Sequence, residues 1–257
     1  MAQVKLVEFM GSDSSIVQAA RVSYAAGTKS VNDDRGLIRY LMRHKHTTPL
    51  EMVEFKFYIK CPIFVARQWL RHRTASVNEV SGRYSILPEE FYMPEHLRFQ
   101  SKINKQGGEE EMEGDGLLLL KQKASCDLAF HTYSELLNKG CSRELARSHL
   151  PLSTFTEFFW KINLHNLLHF LALRMDSHAQ KEIRDLATEV YELIKPAVPL
   201  VCEAFEDYIL GSVTLSRLEV EAIREGKTEL AAGKGENQEF QTKLALLAKG
   251  GGEVLPV

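Results

Sequence analysis

The sequence of 257 residues predicts an α+β fold, in which a small, mainly antiparallel sheet and a helical layer form a single domain. Three segments rich in aromatic or β-branched residues, at 4–9, 52–59 and 155–162, predict the strands. Segments with helical periodicity lie between and after them. Because we find no internal repeat, one domain built on one sheet is the simplest assignment.

The strand at 4–9 is followed by two predicted helices. Asp13 or Ser14 can cap the first of them, and Asp33 begins the second. We expect the second helix to end before Pro49, because proline disfavours helical backbone in the residue that precedes it.

The middle of the chain contains a strand, a short helix and a long helix. Charged residues alternate with aromatic ones at 52–59, which predicts a strand with one solvent-facing side. Pro62 then opens a helix that reaches Trp69, since proline is tolerated in a first helical turn. The polar, glycine-rich and acidic stretch at 101–116 predicts a mobile loop, and a long helix follows at 117–137.

A short helix precedes the last predicted strand. Ser142 is expected to cap this helix, and Pro151 ends it. Glu144 and Arg147 are three residues apart, so an ion pair within the helix is the simplest role for both. The aromatic segment at 155–162 then predicts a buried strand.

Length and composition are those of an ordinary globular protein, with 44% hydrophobic and 26% charged residues. Residues 1–210 form the predicted domain, which ends in two or three helices. Residues 211–257 form a C-terminal extension of loose composition to which the sequence assigns no role.

The net charge and the apolar runs limit the function classes. A net charge of −2 excludes a protein that binds nucleic acid through its whole surface. No stretch approaches the roughly 20 apolar residues that span a membrane, and the first residues lack a secretory apolar region. The cytoplasm is therefore the expected location. The cysteines are widely spaced and without a C-x-x-C pair, so we expect reduced thiols at Cys61, Cys126, Cys141 and Cys202.

A dense group of basic residues begins on the last turns of the 62–69 helix and continues into a predicted loop. Four arginines lie within seventeen positions, at Arg67, Arg71, Arg73 and Arg83. Guanidinium groups suit phosphates and carboxylates, and without matching acids they repel one another unless an anion lies between them. A solvated helix face is the alternative. Because Trp69 and Leu70 interrupt the basic residues, we favour a pocket for a small anion.

A second polar region follows the last predicted strand. His165 and His169 are four residues apart on one helical face, a spacing that suits zinc, but Asn166 stands where a metalloprotease has its glutamate base. Ordinary core or surface histidines are therefore the favoured explanation of the pair. Arg174 is either a charge at a helix end or a buried anion-binding group, and the sequence leaves both open.

Several blocks of sequence resemble the flavin-dependent thymidylate synthases. Arg71-His72-Arg73, followed by seven residues and then Ser81, is similar to the signature of that family. Further matching blocks extend the resemblance over about residues 5–210, and they are 20–23, 46–49, 64–69, 78–85, 143–147 and 174–180.

The resemblance implies reductive methylation of dUMP to dTMP. Methylenetetrahydrofolate would supply the one-carbon unit, and NADPH would supply the hydride through bound FAD. It also implies a homotetramer whose active sites are shared between subunits, with small molecules and other copies of the chain as partners. Neither a metal, a nucleic acid nor a membrane is implied.

The resemblance also implies site residues. Those for dUMP would be Gln68, Trp69, Leu70, Arg71, Glu79, Val80, Ser81, Gly82, Arg83, Arg147 and Arg174. Those for FAD would be Ser23, Thr48, Arg71, His72, Arg73, Glu79, Asn163, Leu164, His165 and His169. Because no cysteine lies in a matching block, we expect Arg174 to be the catalytic residue, stabilising the uracil ring as it becomes anionic. No histidine base is evident beside Ser81, so a positioning role is expected for it.

Two other hypotheses fit parts of the sequence. A nucleotide- or RNA-binding module would use the arginines for phosphates and the 52–59 strand as an aromatic platform. A zinc hydrolase would use His165, His169 and His178.

Overall fold

The central sheet of the computed structural model has four antiparallel strands in the spatial order β1-β2-β6-β3. The structure describes residues 1–22, 33–102, 107–230 and 232–248. The strands are β1 Gln3–Met10, β2 Glu54–Pro62, β3 Ser76–Glu79 and β6 Phe155–Asn163. A separate hairpin consists of β4 Arg98–Gln100 and β5 Gly108–Glu111. The α+β class with a small antiparallel sheet is confirmed.

Ten α-helices are found among the described residues. They are α1 Asp13–Val22, α2 Asp34–Arg43, α3 Ile63–Trp69, α4 Gly116–Asn138, α5 Arg143–Ala146, α6 Leu164–Arg174, α7 Lys181–Ile194, α8 Pro199–Phe205, α9 Arg217–Arg224 and α10 Lys234–Ala248. Short 3₁₀ turns lie at Thr48–Met52 and Arg147–His149, and a π-helical turn at Glu206–Leu210. Within the described ranges, none of the helices is both long enough and apolar enough to cross a membrane.

The chain divides into two compact units, Met1–Cys202 and Glu203–Val257. The first contains the sheet, the hairpin and the helices up to α7, and the second contains α9 and α10. The boundary that the sequence suggests, at residue 210, lies inside the second unit. In that unit α9 begins with a capping box between Ser216 and Glu219, and Lys243 of α10 binds the Glu219 carboxylate at 2.9 Å.

The two central strands explain where the core lies. Phe57 faces Trp160 across the β2–β6 ladder, and both side chains are fully buried. On the opposite face Tyr58 is paired with Phe159, which is 45% exposed. The predicted solvent-facing side of the 52–59 strand is confirmed. The 155–162 segment, expected to be buried throughout, alternates in the same way, because only one face of this sheet is covered.

Helices α3 and α6 leave the two central strands at opposite ends. β2 runs into α3 at Pro62, and β6 runs into α6 at Asn163. Because the strands are antiparallel, the two helices return over the same sheet face from opposite directions. They meet where Trp69, the last residue of α3, packs against Phe170 of α6 with ring centroids 4.6 Å apart. The basic segment after Trp69 is thereby placed beside the end of α6.

Three predictions from the first half of the chain need correction. The carboxylate of Asp13 does not cap its own helix but accepts hydrogen bonds from the backbone N–H groups of Leu200 and Val201, at 2.9 and 3.2 Å, in the first turn of α8. Ser76–Glu79, expected to be loop, is strand β3, because it completes the hydrogen bonding of the β6 edge. Part of the expected 101–116 loop is strand β5, paired with β4, while residues 103–106 lie outside the described residues.

Two predictions about the segment around α5 also need correction. Ser142 precedes α5 but its side chain makes no capping hydrogen bond. Glu144 forms its ion pair with Arg83, at 3.4 Å, instead of with Arg147. A residue distant in sequence thus replaces the neighbour that helical spacing suggested.

Candidate active site

A cavity of about 790 Å³ opens where the segment after α3 meets α6. Its lining is rich in nitrogen donors and comprises Arg71, His72, Arg73, Thr74, His165, Asn166, His169, Leu173 and Arg174. Among these described lining residues there is no Asp or Glu to balance the arginines. Such a surface favours an anionic or carbonyl-rich ligand.

Arg174, at the end of α6, is held by two groups from the segment around the end of α3. Its Nε–H donates to Nε2 of His72 at 3.0 Å, and its Nη2 donates to the backbone carbonyl of Gln68 at 3.2 Å. The Gln68 side chain in turn donates to the side chain of Gln180. Arg174 thus reaches across to another element instead of satisfying the end of its own helix, and its role as an anion-binding group stays a prediction.

The charges of the cavity act on one another. Burial, followed by the positive charges of Arg174 and His169, lowers the pKa of His72 to about 4. Burial and then the charge of Arg71 also lower the pKa of Arg174. Both shifts have the sign expected for positive groups that crowd together without a counter-ion. The cavity therefore carries excess positive potential.

The N-terminus of α6 fixes the histidine face of the cavity. Asn163 caps the helix by accepting hydrogen bonds from the backbone N–H and the side-chain amide of Asn166, both at 3.0 Å. His165 and His169 follow one helical turn apart and both line the cavity. His178 is not in that lining. Its ring nitrogen Nδ1 is hydrogen-bonded to Oδ1 of Asp176 at 2.8 Å. Within the part of the chain that the structure describes, no group of three or more His, Cys, Asp or Glu residues is arranged to hold a metal ion.

Comparisons with known proteins agree on one family. Residues 5–200 match the family model described as thymidylate synthase complementing protein. A flavin-dependent thymidylate synthase of Dictyostelium discoideum is 58% identical over 238 residues, which cover 91% of this chain and 78% of that protein. One from Thermus thermophilus is 57% identical over 221 residues, covering 86% and 82%. The chain belongs to the flavin-dependent thymidylate synthase family.

A solved structure has the same fold as this family member. The crystal structure of a UMP/dUMP methylase, PolB from Streptomyces cacaoi, bound with 5-Br dUMP, aligns with a TM-score of 0.75 and 34% identity. The alignment covers 81% of this chain and 96% of that one. The resemblance based on sequence blocks is thus confirmed at the level of family and fold.

The residues that the thymidylate synthase resemblance implies for dUMP fall into two groups. Arg71 and Arg174 line the cavity, and Arg174 donates to the backbone carbonyl of Gln68. The other polar dUMP residues, Glu79, Ser81, Arg83 and Arg147, are not in the described lining of that cavity. That the dUMP residues form one site remains a prediction.

The second group has its own local contacts. Glu79 accepts a hydrogen bond from the Thr156 hydroxyl at 2.5 Å. Gly82 is buried so closely against Arg147 that an added Cβ would lie 3.0 Å from its Cδ. Only glycine therefore fits at this position without moving the Arg147 side chain. Val80, between the two, donates its backbone N–H to the Glu157 carbonyl at 2.9 Å.

The residues implied for the flavin are similarly divided. Arg71, His72, Arg73, His165 and His169 line the described cavity. Thr48 lines a different cavity of about 700 Å³, which also contains His46. Ser23 lies outside the described residues.

Three of the implied residues have side chains that are buried or half-buried and so are poorly accessible to a ligand. Trp69 and Leu164 are fully buried in the core, and Leu70 is half-buried at the end of α3. For Trp69 and Leu164 only the backbone can take part in binding. Their position in the site remains a prediction.

Sequence reasoning missed some residues of the cavity. Asn166, Thr74 and Leu173 line it but were not candidates. Asn166 precedes His169 by three positions, so helical spacing alone could have placed it on the same face. Gln180 could not have been found in this way, because its contact with Gln68 joins segments 112 residues apart.

Proposed function

We propose that this chain catalyses reductive methylation of dUMP to dTMP, with methylenetetrahydrofolate as one-carbon donor and NADPH as reductant through bound FAD. The observation that carries the proposal is the acid-free cavity formed by the signature residues Arg71, His72 and Arg73 together with Arg174. Membership of the flavin-dependent thymidylate synthase family supports it, as does the likeness to PolB, a UMP/dUMP methylase crystallised with 5-Br dUMP.

The donors of the cavity fit a flavin dinucleotide. Arg71 and Arg73 supply guanidinium groups for a pyrophosphate, and His165 and His169 supply imidazoles for phosphate or ring carbonyls. No Asp or Glu lies in the described lining beside these donors, which supports an anion as the ligand that completes the site. When bound, the flavin supplies the hydride that the methyl group requires.

Arg174 is proposed to stabilise negative charge on the uracil ring. A ring that attacks a methylene electrophile must gain electron density, and a fixed cation beside the ring lowers the energy of that state. Activation by a cysteine thiolate is not supported. Burial and then the charge of Glu79 raise the pKa of Cys61 to about 12, and Cys126 and Cys202 are buried.

We propose further that the active enzyme is a homotetramer with shared sites. Arg83 and Arg147 are not in the described lining that contains Arg174, which supports this, because a second copy would supply the missing dUMP contacts. We place the reaction in the cytoplasm, since all four cysteines are free thiols, as is usual in a reducing compartment.

The test is an absorption spectrum and an activity assay of the purified chain. We expect flavin bands and dTMP formation that requires dUMP, methylenetetrahydrofolate and NADPH together. Assays that omit one component at a time are the control. A colourless protein that forms no dTMP when FAD is added, yet binds oligonucleotides with a steep salt dependence, would instead support the nucleic-acid alternative.

A further inference from the structure

Two donors of the Arg174 guanidinium group already make hydrogen bonds within the protein. Its Nε–H donates to His72 Nε2 at 3.0 Å and its Nη2 to the Gln68 carbonyl at 3.2 Å. Nε and Nη2 form one edge of the planar fork. Nη1 and the outer hydrogen of Nη2 are therefore the donors left for a ligand in the cavity that Arg174 lines.

His72 is well fixed to act as an acceptor. Its backbone N–H donates to the Trp69 carbonyl at 3.1 Å, directly after α3 ends. Its ring packs edge-on against the fully buried Phe170, with centroids 4.9 Å apart and planes at 75°, and lies 6.0 Å from the His169 ring. The direction of its Nε2 lone pair is thus set before any ligand binds.

We propose that His72 is a positioning residue for Arg174, accepting the Nε–H so that the guanidinium presents its outer edge to the pyrimidine nucleotide. The role of Arg174 towards that nucleotide rests on the proposed function. Since Nε2 accepts, the ring proton lies on Nδ1. The lowered pKa of His72 fits this, because burial and the neighbouring Arg174 guanidinium, followed by the His169 ring, disfavour the protonated form. A protonated ring would lose the acceptor and repel the guanidinium.

The test uses two amide variants of matched chemistry. In His72→Gln the amide oxygen reaches the position of Nε2, whereas in His72→Asn it is too short to do so. We expect His72→Asn to lower kcat/KM for dUMP by about 10- to 100-fold, the range for losing one hydrogen bond to a charged group. His72→Gln should stay within a few fold of the wild type. Calorimetric titration with dUMP should rank the two variants in the same order.

A double-mutant cycle separates this role from a direct flavin contact. If His72 acts through Arg174, His72→Asn in an Arg174→Ala background should cause no further loss of activity or of dUMP binding. Losses that multiply would overturn the proposal, as would a His72→Gln variant as defective as His72→Asn at saturating FAD. If His72→Asn does not fold, His72→Leu takes its place in the cycle. The exposed His131 on α4 provides the control, and His131→Asn should match the wild type.

The wild-type protein distinguishes failure of the proposed function from failure of the His72 role. An inactive, flavin-free wild type would contradict the proposed function itself. If the wild type is active but the His72 and Arg174 substitutions have independent effects, only the positioning role of His72 is contradicted.

Discussion

Arg174 is a cation held by two neutral acceptors, the ring nitrogen of His72 and the carbonyl of Gln68. The positive charge of the guanidinium is therefore oriented by these contacts without being neutralised by them. Burial and then the charge of Arg71 lower its pKa, as expected for a partly desolvated cation near another cation. If Arg174 acts as proposed, an anionic ligand would relieve this repulsion, and binding and catalysis would depend on the same charge.

Arg174→Ala is expected to keep the fold and the bound flavin while kcat falls by about 10²–10³-fold, as when one charge-stabilising donor is removed. The reason is that its partners are a side chain and a carbonyl on the surface of the cavity instead of core residues. Steady-state kinetics with dUMP and the flavin absorption of the purified variant are the measurements. Arg224→Ala, on the exposed side of α9, is the control. Near-normal turnover in Arg174→Ala would contradict the role.

At the scale of elements, the β4–β5 hairpin is tied to α7 by one carboxylate. Glu182, whose side chain is only 10% exposed, accepts from Arg98 of β4 at 2.6 Å and from the Tyr92 hydroxyl at 3.1 Å. Burial alone raises the pKa of Glu182, but its own backbone N–H and the Arg98 guanidinium outweigh that and hold the pKa below the usual value. The ionised form is therefore the one that stabilises the folded state.

Glu182→Gln is expected to lower the free energy of unfolding by about 1–3 kcal/mol at neutral pH, because a buried charge-assisted pair loses its charge. A carboxyl with a lowered folded-state pKa contributes stability above its ordinary value and loses it as pH falls through the folded value. The difference between wild type and variant should thus shrink below pH 4.5, the ordinary value for glutamate. Denaturant unfolding of both proteins at several pH values measures this difference in the free energy of unfolding.

The control for this prediction is Glu192→Gln, an exposed position on the same helix. It should change the free energy of unfolding by less than about 0.5 kcal/mol. A Glu182→Gln deficit that stays constant as the pH falls from neutral to well below the ordinary glutamate value would show that charge is not the cause.

Local pattern predicted most of the elements but not their partners. The alternation that predicts β2 is a property of the eight consecutive residues 52–59, and it is present in the burial pattern of the strand at Glu54–Pro62. By contrast, Ser76–Glu79 contains no strong strand signal, and it is a strand because the edge of β6 needs hydrogen-bond partners. Asp13 likewise has the right position to cap α1, yet it binds α8, which packing has placed within reach.

At the scale of the whole molecule, the residues implied for one ligand do not all line one cavity of the described chain. The cavity holds Arg71 and Arg174, whereas Gly82 and Arg147 are packed together elsewhere. A symmetric oligomer unites such groups by rotation, so each site would be completed by a neighbouring copy. Residues after Cys202 form their own unit, in which Glu219 and Lys243 form one of the ion pairs.

Mixing two inactive variants tests this arrangement. Arg174→Ala and Arg147→Ala should each be nearly inactive alone, but co-refolded mixtures should recover up to about one quarter of wild-type activity, since random assembly of a symmetric oligomer leaves that share of sites intact. Light scattering should report a tetramer throughout. Mixtures no more active than either variant alone would contradict shared sites, and each variant refolded by itself is the control.

The sequence by itself determined the fold class, most of the strands and helices and the family, because these depend on short-range alternation, helical periodicity and blocks of adjacent residues. It also indicated that the arginines after α3 form an anion pocket. Only the tertiary structure decided which residues share that pocket. Arg174 meets His72 across 102 residues of chain, and Glu144 is paired with Arg83 instead of its neighbour. The physical reason is that antiparallel β2 and β6 send α3 and α6 over one sheet face from opposite ends, and no local pattern encodes where those two helices meet.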